Sequence, residues 1–242
     1  MTRTAETQDP RRRWLIQALT AGLFSVVLPG GRALAQVFGG SPTKLPEGQS
    51  VYRVSGEAMV NGVQATLQTR IGASDTLETG RNGELVFVVG SNAMILRGES
   101  RVVLEPEQAN SLLVSGLRLL SGALLSVSRN RPMRLVTPTA SVGIRGTGFY
   151  VEAEPQQTYF CTCYGAAEIA ANADPQSREN VAATKHDRPL YIVADAAAGQ
   201  NIRNAPFINH TDQELSLIET LVGRTPPFVF PANQYNAPRR EY

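Results

Sequence analysis

The sequence predicts an all-β protein, and three observations carry that reading. Short apolar runs recur from Gly48 onward, the breaks between them hold tight-turn residues, and no long helical period appears before the C-terminal region. The runs are Val51–Val54, Glu57–Val60, Leu85–Val89, Ala93–Leu96, Val102–Leu104, Ser111–Val114, Ala123–Val127, Arg134–Val136 and Phe149–Ala153. The breaks include Asn61-Gly62, Asn82-Gly83, Gly90-Ser91-Asn92, Gly116 and Ser121-Gly122, whose residues tolerate the dihedrals of tight turns. No strict repeat length is readable, so periodicity leaves sandwich, barrel and solenoid open.

Composition sets outer bounds. The 242 residues suffice for one large domain or two small ones, and a hydrophobic fraction of 42% is ordinary for a folded chain. Two cysteines exclude a disulfide scaffold. The first 35 residues hold five arginines and two acids, so without their net +3 the formal charge of +2 becomes −1. A near-neutral remainder gives no electrostatic reason to expect nucleic acid.

Residues 1–35 read as an export signal peptide. Arg11-Arg12-Arg13 precedes a moderately apolar run, Leu15 to Leu28, and Ala33-Leu34-Ala35 supplies a small-residue cleavage signal after Ala35. The run is short for a spanning helix. Arg12-Arg13-Trp14-Leu15 resembles the twin-arginine pattern, and Arg32 near the cleavage site is typical of that route. That resemblance implies export in the folded state to the periplasm, often with a cofactor already loaded, and membrane contact only during export. An uncleaved amphipathic anchor is the competing reading. Residues 36–49 read as a linker, 50–200 as the β domain, 201–230 as a helix and strand docked on it, and 231–242 as a flexible tail.

The order of pieces in the middle of the chain carries a second resemblance. Asp75-Thr76-Leu77-Glu78-Thr79-Gly80 reads as a turn and is followed by an apolar strand pair. Gly122-Ala123-Leu124 and then Thr137-Pro138 through Arg145-Gly146-Thr147-Gly148-Phe149 complete the series. From Ser50 to Ile169 this resembles the FecR domain. The resemblance implies a compact periplasmic β-fold, a short β-solenoid whose coils stack strand over strand. FecR regulators as a family carry a cytoplasmic segment that contacts a sigma factor. Only ten residues precede Arg11 here, so a free-standing exported domain is expected, with no sigma factor as partner. The expected partner is a periplasmic protein or ligand.

Within the most specific stretch, Gly143 to Gly148 reads as a glycine-punctuated turn between two strands, with Pro138 ending the strand before it. Arg145 is read as a structural clamp on a carboxylate or on carbonyls of a neighbouring coil, with ligand binding as the alternative.

Thr158 to Gly165 reads as a strand ending at a turn, so Tyr159, Cys161 and Cys163 share one face. After Ala166–Ala173 and a polar loop at 174–180, His186 precedes a strand at Leu190–Ala194, and His210 precedes a helix. Three readings stand. The two thiolates and two imidazoles of Cys161, Cys163, His186 and His210 would suit zinc, copper or iron. The cysteines would otherwise form a strained Cys-x-Cys or intermolecular disulfide, or serve as buried apolar residues. Folded export favours the metal. Tyr159 and Tyr164 flank the thiols, and Asp187 and Asp212 are candidates to orient an imidazole.

Thr211-Asp212-Gln213-Glu214 matches a capping box. Leu215, Ile218 and Val222, widened by Leu217 and Leu221, make the apolar stripe of an amphipathic helix that Gly223 and Pro226-Pro227 stop. Phe228-Val229-Phe230 reads as a last strand.

No nucleophile triad, phosphate loop, nucleotide fingerprint or paired acid/base carboxylates stand out, which weighs against an enzyme. The function expected is a binding, sensing or assembly module with a metal at the Cys-x-Cys/His site. Two alternatives remain: a metal- or redox-dependent enzyme or subunit, in which Tyr159 or Tyr164 lines an open coordination position, and a structural adaptor with inert cysteines.

Overall fold

The structure is a computed structural model describing residues 42–108, 111, 113–128 and 131–227. The signal peptide with its cleavage after Ala35, the first part of the linker, the Phe228–Phe230 strand and the 231–242 tail lie outside the described residues.

The apolar runs become strands by burying alternate side chains, on one face at Val51–Ser55 and Pro132–Val136 and on both at Asn92–Leu96. The first are β1 (Val51–Ser55), β2 (Ala58–Val60), β3 (Val63–Gln64), β4 (Thr76–Thr79), β5 (Glu84–Val89), β6 (Asn92–Leu96) and β7 (Arg101–Pro106). Three long strands follow, β8 (Val114–Val127), β10 (Ala140–Ala153) and β11 (Gln157–Ala171), with β9 (Pro132–Val136) between the first two. β12 (Arg178–Ala183), β13 (Leu190–Val193), β14 (Ile202–Asn204) and helix α1 (Asp212–Leu221) complete the described chain. All fourteen strands join one open sheet, antiparallel throughout except for the parallel pair β8–β9.

Each long strand changes neighbours along its length. β8 pairs with β7 and β9 in its first half and with β6 and β10 in its second. β10 passes from β9 to β8 while keeping β11 on its other side. Gly143 to Gly148 is therefore not a turn between two strands. The register shifts between Arg145 and Phe149, Gly146 adopts φ +61°, and the strand runs on through the bulge. Gly165 likewise bends β11 without ending it: φ is +91°, and a Cβ there would lie 2.6 Å from the Gly146 carbonyl oxygen of the adjacent strand. The Asp75–Gly80 turn contains β4, and β12 occupies part of the region read as polar loop.

Side-chain alternation divides the core in two. Leu85, Phe87, Met94, Leu124, Phe149, Val151 and Phe160 point to one cluster. Their neighbours Val86, Ile95, Leu125, Tyr150, Tyr159, Cys161 and Cys163 point to the opposite one, where Ile208, Leu215, Ile218 and Leu221 cover them.

Helix α1 has 10 residues, a length marginal in isolation, so its termini and packing decide its stability. The Thr211 side chain accepts from the Glu214 N–H, and the Glu214 carboxylate accepts from the Thr211 N–H at 2.9 Å. At the other end Gly223 (φ +71°) donates to Thr220 O and Arg224 to Glu219 O, each at 2.9 Å, a Schellman closure. Among the described residues no helix is long and apolar enough to cross a membrane.

Candidate metal centre

The extended backbone of β11 sends Cys161 and Cys163 to the face beneath α1, both fully buried as free thiols. Tyr150 on β10 sits directly across from Cys161. His186 arrives from the β12–β13 connection, with φ +51° and its N–H donating to Cys163 O at 2.9 Å. Asp187 shapes that connection by accepting from Thr184 N at 2.6 Å, Thr184 Oγ1 at 2.9 Å and Lys185 N at 3.3 Å. His210 arrives one residue before the cap of α1, fully buried.

The four donor atoms lie within 4.8 Å of one another. Cys161 Sγ is 3.5 Å from His186 Nδ1, Cys163 Sγ is 3.4 Å from His210 Nε2, and the two ring nitrogens are 3.2 Å apart. A tetrahedral ion with sulfur at about 2.3 Å and nitrogen at about 2.0–2.1 Å separates sulfur from nitrogen by about 3.6 Å and nitrogen from nitrogen by about 3.3 Å. The three measured separations match those edges.

The outer nitrogens fix which faces turn inward. His210 Nδ1 lies 2.7 Å from the Ile208 carbonyl, which can only accept, so Nδ1 carries the proton. His186 Nε2 lies 3.0 Å from the Asp212 carboxylate and donates to it, while Lys185 Nζ holds the other Asp212 oxygen at 2.8 Å. Asp212 begins α1, where the helix dipole favours its charge. His186 Nδ1 and His210 Nε2 thus present lone pairs to each other beside two sulfurs. The Cys161 and Cys163 thiols can donate to those nitrogens at 3.5 and 3.4 Å, and a metal ion replacing the thiol protons would meet the same four atoms. Phe207 packs on both imidazoles, with centroids 4.3 and 4.5 Å away, and Tyr150 stacks on His210 at 4.5 Å.

The sulfurs behave as a pair. Burial pushes the Cys161 thiol up, but its hydrogen bonds with Cys163, His186 and His210 outweigh that and hold Cys161 well below the usual thiol range. Burial also pushes Cys163 up, and there the hydrogen bond and charge of Cys161 and the charge of Asp212 add to the effect. Tyr159 is raised above the usual phenol range, first by burial and then by Cys161.

The structure brings Cys161, Cys163, His186 and His210 together and sets Asp212 on His186. Asp187 orders the loop and makes no hydrogen bond to either imidazole; its carboxyl is held below the usual range mainly by the Thr184 N–H. Tyr159 does not line the cluster with its hydroxyl, which donates to Pro206 O at 3.0 Å and accepts from Ile208 N at 3.3 Å. Tyr164 sends its hydroxyl to Glu219 on α1. Arg145 makes an exposed ion pair with Glu168 at 2.8 Å, remote from the cluster and worth little in solvent. No sequence signal marks Lys185, Phe207 or Tyr150 at the site, nor the buried pair of Glu219 with Arg224 Nε at 2.7 Å that fixes the far end of α1.

Residues 75–168 match the family model described as FecR protein. That stretch is similar to the FecR family over 94 of the 242 residues. Both cysteines fall inside the matched stretch, and both histidines lie beyond it. Two crystal structures of a proposed anti-sigma factor from Parabacteroides distasonis ATCC 8503 are similar, at 14% and 15% identity and a TM-score of 0.43 each. In both cases the match covers 54% of this chain and 58% of that one, so this chain spans little over half of their length. No curated protein matches the chain.

Proposed function

We propose that this protein is an exported, periplasmic FecR-domain module for binding, sensing or assembly, in which a transition metal held by Cys161, Cys163, His186 and His210 fastens the C-terminal segment to the β body. The observation that carries this reading is the convergence of two sulfurs and two ring nitrogens within 4.8 Å of one another, the nitrogens turned inward by Ile208 O and Asp212. Two sulfurs and two imidazole nitrogens suit zinc best, with copper and iron compatible with the same donors. Asp212 and Ile208 O would orient the rings, as second partners do around bound metals.

Four protein donors complete the coordination of a structural zinc site, whereas a catalytic zinc keeps a place for water or substrate. With both sulfurs and His210 fully buried and the His186 side chain 6% exposed, the structural role is favoured over the metal-dependent enzyme. The finer reading of the strands as coils of a short solenoid belongs with this proposal, supported by the way β8 and β10 trade neighbours halfway along.

The test is elemental analysis of the full chain purified from periplasm, beside Cys161→Ser/Cys163→Ser. One metal per chain, lost in the double variant, is the expected result, and cobalt substitution should give sulfur-to-metal charge-transfer absorption. A metal-free wild type that takes up neither zinc nor cobalt would sink the proposal.

A further inference from the structure

The outer face of the sheet carries a trough of about 440 Å³ where β9 and β10 run side by side, its lining including Pro132, Arg134, Ser141, Gly143, Arg145 and Glu168. That volume lies in the range of ligand pockets, about 300–1,000 Å³. Beyond Arg145 and Glu168 a second hollow of about 220 Å³ lies over Ala166, Asn180 and Ala182. The two hollows share the Arg145–Glu168 pair, so together they cross β9, β10, β11 and β12.

Gly143 has no internal reason to be glycine. Its φ is outside the left-handed region, and a Cβ there would find nothing nearer than the Glu168 Cβ at 3.8 Å. A glycine inside a strand weakens it, and one that packing does not demand marks a close approach by another group. Opposite it on β9 stands Arg134, exposed and without an ion pair among the described residues. On the other side of Arg134, Glu105 covers Gly116 and pairs with Arg118 at 3.7 Å, so the open side is the Gly143 side. Arg145 lies diagonal to Arg134 across the same two strands, near enough for both guanidiniums to reach one ligand group. Its exposed pair with Glu168 at 2.8 Å costs little to exchange.

We propose that this trough docks an extended acidic segment of a partner protein, whose carboxylate takes Arg134 and Arg145 while a small side chain enters the hollow over Ala166 and Ala182. Two guanidiniums against the one carboxylate of Glu168 leave the trough at a formal net charge of +1, which complements a carboxylate better than a phosphate dianion. Guanidinium forks pair with carboxylates through two parallel hydrogen bonds, which fixes the direction of approach. A site that crosses four strands suits a peptide better than a single small acid. The proposal is independent of any metal at the cysteines.

The experiment is NMR titration of the isotope-labelled full chain with acetyl-Ala-Glu-Ala-Ala-amide, with its glutamine counterpart, and with acetate and inorganic phosphate. The expected result is saturable shifts at the Ser141, Gly143 and Arg145 amides with the glutamate peptide, about tenfold weaker binding of the glutamine peptide and of acetate, and no displacement by equimolar phosphate. Arg134→Gln should weaken peptide binding by about tenfold. Gly143→Ala fills the trough without an internal clash, so stability should hold or rise while affinity falls, which separates binding from folding. Absence of saturable shifts at these amides, equal affinity for the glutamine peptide, or an affinity unchanged in Arg134→Gln or Gly143→Ala would overturn the proposal. Acetate binding as tightly as the peptide would make this a site for small acids, displacement by phosphate a site for phosphate, and either result also overturns it.

Discussion

Gly148 is a position where one added methyl group would meet a buried aromatic ring. It pairs with Tyr164 across β10 and β11, and a Cβ there would fall within the Tyr164 ring, 2.6 Å from Cζ and 2.9 Å from the hydroxyl oxygen. Its φ is outside the left-handed region, so alanine brings no backbone strain and the penalty is steric. The ring cannot yield easily, because it is 2% exposed and its hydroxyl is tied to Glu219 on α1. If the ring stays, overpacking costs about 1–3 kcal/mol. If it swings away, the bond to a buried carboxylate is lost, about 1.5–3 kcal/mol. Whichever route is cheaper, Gly148→Ala should lower stability by about 1–3 kcal/mol, read as the urea midpoint at unchanged m-value. Gly148→Ala/Tyr164→Ala should cost clearly less than the sum of the single variants, since the second change removes what the first collides with. A Gly148→Ala loss under about 0.5 kcal/mol, or strict additivity in the double variant, would refute the reasoning.

Three further expectations can be measured directly. Asp212→Asn keeps an acceptor near His186 but removes the charge that orients the ring, so zinc affinity should fall about 10- to 100-fold in competition with a chromophoric chelator; an unchanged affinity would remove Asp212 from the site. Stripping the metal should speed amide exchange across residues 207–222 far more than in β5 and β6, and a uniform change would mean that the cluster does not fasten the helix. Asp174 accepts from Gly199 N at 2.6 Å, Gln176 N at 3.0 Å and Ser177 Oγ at 2.9 Å, and these bonds, the Gly199 one first, hold its carboxyl below the usual range. A depressed folded-state value stabilises above the unfolded value of about 3.9 and is lost as pH falls through the folded one. Asp174→Asn should therefore lower the melting temperature at pH 6, and the difference should shrink as pH falls from about 4 through the folded value; a difference that persists at still lower pH would contradict this account.

The sequence alone was enough for features that depend on near neighbours along the chain. Alternation placed Tyr159, Cys161 and Cys163 on one face, because an extended strand has period two whatever packs against it. The Thr211/Glu214 capping box and the Gly223 stop follow from backbone groups that must be satisfied within a few residues. Glycine was less informative, since the same freedom that closes a turn also permits a bulge: Gly146 and Gly165 bend long strands that the sequence divides. Which long-range groups meet was decided by tertiary structure. Cys163 and His210 are 47 positions apart and Arg97 and Glu214 are 117 apart, yet each pair is in contact. Nothing local marks Glu152 or Glu219 as buried. Only the sheet's register and the docking of α1 select their partners, because electrostatic and metal-ligand geometry depends on distance in space, and spacing along a chain constrains that distance only over a few residues.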